Sequence, residues 1–489
     1  VVWRARPLFT DIRLTEAHAF YVQGPAGIDN GHCLWYDNIE IGRDMSVRKG
    51  DTMKLFKRIA AAFLAIVAAA GLAFVSGCGE GRSTLLRGAS EITALTSGEA
   101  ESAEFASVSE SAEAFAAKFA EAVYTECDDG ENIALSPVSV YAALALASEC
   151  AAGETRGQVL SALGTTYDTL SEGFGYLYRS LVREFDTGKV AFGNSVWVDE
   201  AAVMNDDCLD ALSQKYFCDS YSADFVNDNK NANKAVRHFI KESTNGLIDT
   251  DPELPAETYF ALFNVLYLKD QWTITDDLEF TDEEMAFTSS GGEERRERFL
   301  RGFYEPGRAY ETETYTTFRS ETHAGYKLSF ILPNDGYTAR EVFTADNIAE
   351  VAALSDYSAY DEVTETAYYT RCIFPAFEAS YDGEIAGVLE SAFGISYLFD
   401  EHKCDITRAI SEENMTKGRA HCASVRHVTR LNVDETGIEG AAVTQMAYAG
   451  TSAPPQKKVY LDFVVDRAFG FVLTAPNGTT LFSGVVNGL

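Results

Sequence analysis

The chain has 489 residues, 46% hydrophobic and 23% charged, a balance that supports a large packed core and excludes wholesale disorder, a collagen-like fibre and a many-pass membrane protein. Forty Lys and Arg stand against 74 Asp and Glu, a formal charge of −34, and such a field repels phosphate backbones, so nucleic acid is not expected as a partner. Length alone allows about three domains, but the composition reads as one globular body with an unusual N-terminus.

From Met53 the sequence reads MKLFKRIAAAFLAIVAAAGLAFVSGC. Lys54, Lys57 and Arg58 precede an uncharged apolar run from Ile59 to Val75, and small residues follow, which predicts a secretion signal over 53–77. Its end, Val75-Ser76-Gly77-Cys78, resembles the lipobox of bacterial lipoproteins. The resemblance implies cleavage before Cys78, acylation of its sulfur and attachment to a lipid membrane. An ordinary signal peptide or a short membrane-spanning helix is the alternative. Residues 1–52 carry no hydrophobic periodicity. The run Arg48-Lys49-Gly50-Asp51-Thr52 can be encoded by a purine-rich stretch like a ribosome-binding site, so 1–52 are expected to be an upstream segment translated by mistake. Residues 78–104 mix Gly, Ser, Thr, Ala and Glu without an apolar stripe and are expected to be a flexible tether. Without residues 1–77 the chain keeps 31 basic and 67 acidic residues, so the acidity belongs to the body.

Order is expected from Phe105, where Phe115, Phe119 and Val123 recur at helical spacing. Ile133-Ala134-Leu135 reads as a short buried strand, Ser136 as a helix cap and Pro137 as the first helical residue, with an Ala-rich buried helix over 138–147. Residues 190–198 read as a strand, 231–244 as a helix closed by Asn245-Gly246, and 259–268 as a strand buried on both faces. The tail reads as strands at 463–465, 469–474 and 480–486, the last two joined at Asn477-Gly478. The fold class is therefore α+β. Seven cysteines remain after Cys78, an odd and sparse set without CxxC, which reads as idle thiols rather than a disulfide framework. No HExxH, GxSxG or GxxxxGK[ST] pattern occurs and no His/Cys cluster. No metal, cofactor or catalytic residue is expected, and the chain does not read as an enzyme.

Several ordered stretches carry a family resemblance. They are Asn132 to Ser139 (NIALSPVS), Asn264 to Trp272 (NVLYLKDQW), Ile331-Leu332-Pro333, Phe374-Pro375-Ala376-Phe377, Val433 to Ala442 (VDETGIEGAA) and Asp466-Arg467-Ala468-Phe469. In this order they identify the chain, over 385 residues from Phe105, as similar to the serpins, the serine protease inhibitor superfamily. The resemblance implies a serpin fold with a large central mixed sheet, additional sheets, about nine helices and an exposed reactive-centre loop. A protease cuts that loop, which then inserts into the large sheet as a new strand. It places the loop at 435–455 and its hinge at Glu435, Gly437, Ile438, Glu439, Gly440, Ala441 and Ala442. Inserted as a strand, the loop would turn Ile438, Gly440, Ala442, Thr444, Met446 and Tyr448 toward the core, none of them charged. No proline interrupts residues 435–453. Two residues depart from the inhibitory pattern: Ile438 stands where Thr or Ser is usual, and Gly440 where Ala is usual, so insertion is expected to be slower.

Family spacing puts the reactive bond at Thr451–Ser452, a register supported by Ser452-Ala453-Pro454-Pro455. Thr451 does not suit a trypsin-like pocket. It suits elastase-like serine proteases, while Tyr448, with Gly450 between, suits subtilisin-like ones. Heparin activation is not expected, because the matching region from Thr165 to Val182 offers only Arg179. The resemblance also implies a polar shutter at Ser136, Ser139, Asn264 and His427 beneath the centre of the sheet, and places Trp272 at the breach where insertion begins. By the residues alone, these read as satisfied core polars and a core aromatic. The expectation is a monomeric, membrane-anchored, extracellular trap for serine proteases. Alternatives are a non-inhibitory serpin cut as a substrate, an acidic surface-binding lipoprotein, and cross-inhibition of cysteine proteases.

Overall fold

A computed structural model describes residues 81–127, 130–272, 278–354, 357–414, 421–422, 425–438 and 457–489. The expected upstream segment, the signal and Cys78 lie outside the described residues. In chain order, the elements that frame the site are β1 (Thr84–Arg87), α1 (Ala103–Glu126), β2 (Ile133–Leu135), α2 (Pro137–Cys150), α3 (Tyr167–Leu181), β3 (Gly188–Asp199), α4 (Asp206–Lys215), β4 (Cys218–Ala223), α5 (Asn229–Ser243) and β5 (Phe260–Gln271). Then come β6 (Phe299–Pro306), β7 (Tyr315–Glu321), β8 (Lys327–Pro333), β9 (Thr366–Pro375), β10 (Phe377–Glu384), β11 (Arg426–Asp434), β12 (Gly437–Ile438), β13 (Lys457–Val464), β14 (Phe469–Thr474) and β15 (Thr480–Val486).

Three larger sheets organise these elements. The largest runs β1-β4-β3-β5-β12-β11-β10, with the short strand Arg183–Phe185 on β3. It is mixed: β3 and β4 are parallel, and its other pairs are antiparallel. The second contains β9 and β6, with β13 parallel to β9. The third runs β7-β8-β14-β15-β2 beyond the edge strand Tyr310–Glu311. Ten α-helical segments surround these sheets among the described residues.

Local sequence explains the central elements. α2 is Ala-rich and buried all round, Ala143 alone being half-buried, because it lies between β5 and β15. β5 is a near-continuous apolar run, though its first five residues are only half-buried. The α5 helix stops at Asn245 and Gly246, both at positive φ (53° and 83°), as the Asn-Gly pair predicts.

The tether expected over 78–104 is overturned from Gly81 onward. β1 adds to the edge of the largest sheet beside β4, and Arg87 is ion-paired with Asp206 and Asp210. Thr96 and Glu99 form a capping box for the short helix Ser97–Ala100, and Arg179 of α3 reaches Glu99 at 2.5 Å. That guanidinium, with the Thr96 donors, holds the Glu99 carboxyl at about 2. Composition without an apolar stripe concealed this segment because polar and backbone contacts to distant residues hold it.

Candidate functional site

The site is a seam in the largest sheet. β12 is two residues long and joins β5 to β11: Gly437 pairs with Gln271 and Asp434, and Ile438 with Asp270 and Val433. Among the described residues β5 and β11 share no ladder of their own. The described sheet is therefore closed at one end by β12, and along the rest of β5 no described residue pairs with it on the β11 side; that interval is called the slot here, and β12 its mouth.

The chain turns into β12 through Asp434. Its Oδ1 accepts from Thr436 N (2.8 Å), Thr436 Oγ1 (2.6 Å) and Gly437 N (3.3 Å), an Asx-type turn that a short acceptor followed by Thr and Gly favours. Gly437 sits at φ 150°, and a Cβ there would lie 2.2 Å from the Asp270 carbonyl oxygen and 2.7 Å from Gln271 Cα. Only glycine lets the hinge backbone approach β5 so closely. Ile438 is fully buried. The β-branched residue that departs from the usual pattern thus fills the mouth of the slot.

Trp272 locks this mouth. It is 2% exposed, its Nε1 donates to the Asp434 carbonyl at 2.8 Å, and its ring meets Phe374 edge-on at 5.8 Å. It thereby ties the end of β5 to the end of β11. Asp270, also fully buried, accepts from Thr187 Oγ1 (2.5 Å), Gln271 N (2.9 Å) and Ala324 N (2.8 Å). Three donors satisfy this carboxylate and fix the turn after β7 against the mouth.

Deeper in the sheet, Ser136 N donates to His427 Nε2 at 3.1 Å, Ser136 Oγ donates to the Leu481 carbonyl (2.9 Å), and the Ser136 and Ser139 hydroxyls share a hydrogen bond at 3.1 Å. Ser136 stands at the helix N-cap position but makes no side-chain cap bond, so the expected capping role is corrected: its hydroxyl serves this cluster. An N–H donated to Nε2 requires a lone pair there, which makes His427 the neutral Nδ1–H tautomer. Burial alone lowers its pKa to about 4, and the rings of Phe119 and Tyr381 each lie 5.9 Å away.

Among the described residues, Asn264 makes its hydrogen bond away from this group. Its Nδ2 donates to Asn194 Oδ1 at 2.6 Å across β3, and Asn194 Nδ2 donates to the Tyr216 carbonyl at 2.7 Å. Asn264 Oδ1 is buried without a hydrogen-bond partner. The physical reason is the seam: Asn264 belongs to β5, His427 to β11, and no ladder joins the two strands at that level. Glu435 lies in the described turn. Glu439, Gly440, Ala441, Ala442, Tyr448, Gly450, Thr451 and Ser452 lie outside the described residues. Asp434, Asp270 and Asn194 were not singled out from sequence. The Asp-Glu-Thr-Gly turn signal was available for the first, whereas the other two become visible only through register.

A large mixed sheet in which β5 and β11 are joined, among the described residues, only through Gly437 and Ile438, flanked by two further sheets and ten helical segments, is the architecture of one class of protein. Residues 110–488 match the family described as serpin (serine protease inhibitor), and the chain belongs to that family. Serpin-Z2B of Oryza sativa subsp. japonica is 27% identical over 399 residues, covering 73% of this chain and 93% of that protein. Alpha-1-antiproteinase 2 of Equus caballus is 24% identical over 342 residues, covering 68% and 77%. Two solved folds are similar: the thermophilic serpin tengpin in its native state (TM-score 0.64, 21% identity, covering 83% of this chain and all of that one) and Arabidopsis AtSerpin1 in its native stressed conformation (0.64, 21%, 79% and 99%). The family is one of protease inhibitors, with some non-inhibitory members, and not of enzymes.

Proposed function

We propose that the protein is a suicide-substrate inhibitor of serine proteases, held outside a bacterial cell by a lipid on Cys78. The observation that carries this reading is the slot beside β5, joined to β11 only through Gly437 and Ile438 among the described residues. The loop 439–456 spans from Ile438 to Lys457, where β13 is paired with β9. Attack by the protease serine on the Thr451 carbonyl carbon forms an acyl bond. The Thr451–Ser452 C–N bond breaks, and the Ser452 amine leaves with a proton. The freed loop then continues β12 along β5.

Extending the observed register, residue 444 falls opposite Asn264 and residue 448 opposite Phe260. The Thr444 hydroxyl then has an acceptor in the unpartnered Asn264 Oδ1. About 14 inserted residues at about 3.3 Å each carry the acyl-linked protease roughly 46 Å. Distortion of the protease's site stalls hydrolysis. Thr451 and Tyr448 favour elastase-like or subtilisin-like targets. Arg179, the basic residue of the region that would bind heparin, is 9% exposed and committed to Glu99, which agrees with no heparin dependence.

The test mixes the protein with pancreatic elastase and with subtilisin, followed by denaturing gels and mass spectrometry. A band at the summed mass, with release of a fragment beginning at Ser452, is expected. Cleavage without that band would make this a substrate-type serpin, a reading that rests on Ile438 and Gly440.

A further inference from the structure

The described body begins at Gly81, three residues after Cys78. A Cβ on Gly81 would lie 2.3 Å from Ala235 N, and Arg82 N donates to the Asn231 carbonyl at 3.1 Å, so the chain leaves from the start of α5. Register locates this point in the sheet. Thr84 pairs with Ser222, Ser222 with Val198, and Val198 with Phe260. Phe260 is the end of β5 opposite the mouth at Gln271, and a 12-residue strand spans about 36 Å between them. The N-terminal segment is therefore rooted at the pole far from the mouth at Gln271. Loop insertion carries Thr451 to that same pole, three residues beyond the level of Phe260.

This creates a conflict of space at a membrane. A protease of about 230 residues is about 45 Å across by the usual size scaling. Three residues of chain between Cys78 and Gly81 reach only about 10 Å. With the segment in place, the trapped protease has no room between the inhibitor and the bilayer. With the segment released up to Ser102, the N-cap of α1, the chain from Cys78 extends to about 80 Å.

The segment is fastened in a way that permits release. Leu85 is 53% exposed and Leu86 38%. Its holds are polar: Arg87 to Asp206, Ala89 N to Asp219 Oδ1 (2.8 Å), Ser213 Oγ to the Gly88 carbonyl (2.7 Å) and Arg179 to Glu99. Such a segment opens without unfolding the core beneath it. We propose that residues 81–101 are a releasable strap, which holds the anchored inhibitor close to the bilayer and peels from β4 when the acyl-linked protease arrives at the membrane-side pole. This rests on the anchored-inhibitor reading above.

The test locks the strap with Thr84→Cys and Ser222→Cys, which are directly opposed Cα partners within the spacing a disulfide bridges. Lipidated protein is placed on phosphatidylethanolamine/phosphatidylglycerol vesicles and exposed to whichever of elastase and subtilisin the unlocked chain traps. Oxidising the lock is expected to lower the yield of covalent complex at least about tenfold and leave cleaved inhibitor, because the geometry forbids both attachments at once. Reducing the lock, or inserting a Gly/Ser linker of about 25 residues after Gly79, restores trapping. Two results overturn the strap: an unchanged yield on vesicles when the lock is oxidised, or an equal loss in a Cys78→Ser chain free in solution. If the unlocked Cys78→Ser chain traps neither protease, the inhibitory reading itself falls, and the strap with it.

Discussion

Gly437→Ala is the most informative single change, because the structure specifies both its local cost and its consequence. The new Cβ would meet the Asp270 carbonyl oxygen at 2.2 Å and Gln271 Cα at 2.7 Å, both backbone atoms of β5, at φ 150°. Backbone strain at such a φ costs about 1–3 kcal/mol, and overpacking typically another 1–3 kcal/mol. The two-residue β12 has few ladder bonds to oppose this, each worth about 1 kcal/mol net, so the hinge leaves the sheet while the rest of the fold stays. Insertion then has to pass the same clash. A barrier raised by about 2–6 kcal/mol slows it roughly 30- to 20,000-fold. Slow insertion lets the acyl bond hydrolyse, and the inhibitor becomes a substrate. The assay is the number of inhibitor molecules consumed per protease inactivated, with hydrogen exchange at Gly437 and Ile438. A variant with wild-type stoichiometry and unchanged protection at both amides would refute the reasoning.

Ala442→Pro removes a ladder donor from the middle of the inserting strand; the expected result is cleavage at wild-type rate with the covalent band lost, and a retained band would count against insertion along β5. His427, neutral when folded with a pKa of about 4 against an ordinary 6.5, binds its proton first in the unfolded chain. Its contribution therefore falls as pH drops from 6.5 toward 4, by about 2–3 kcal/mol at pH 4.5. Urea midpoints at pH 7 and 4.5 should show a larger acid loss in wild type than in His427→Gln, and equal losses would contradict the burial of a neutral ring. Trp272→Phe leaves the Asp434 carbonyl without its donor and is expected to cost about 1–3 kcal/mol. A lower melting temperature and faster loss of inhibitory activity on warming should follow, and an unchanged melting curve would remove Trp272 as a lock.

Much of the frame was legible from local pattern. Ile133–Leu135 and the two C-terminal strands at 469–474 and 480–486 fall where apolar runs and the Asn-Gly turn put them, because each is fixed by its own neighbours and turn. The hinge turn was legible for the same reason. The rest depends on residues far away in sequence. Thr84–Arg87 has an exposed face and no apolar stripe. It becomes a strand because β4 offers an edge and because Asp206 and Asp219 lie beside it. Asn264 was placed with His427 by family pattern, yet a seam between β5 and β11 separates their hydrogen bonds. Ser136 reads as a cap from its position before Pro137, and only the tertiary fold brings the Leu481 carbonyl to its hydroxyl.

Hydrogen exchange along the two banks of the slot, before and after cleavage of the loop, tests the central claim most directly. If the freed loop continues β12, the amides of Phe260–Lys269 and Arg426–Asn432 that face the slot gain protection, and the melting temperature rises with the added ladder. Unchanged exchange on both strands after complete cleavage at Thr451–Ser452 would contradict it.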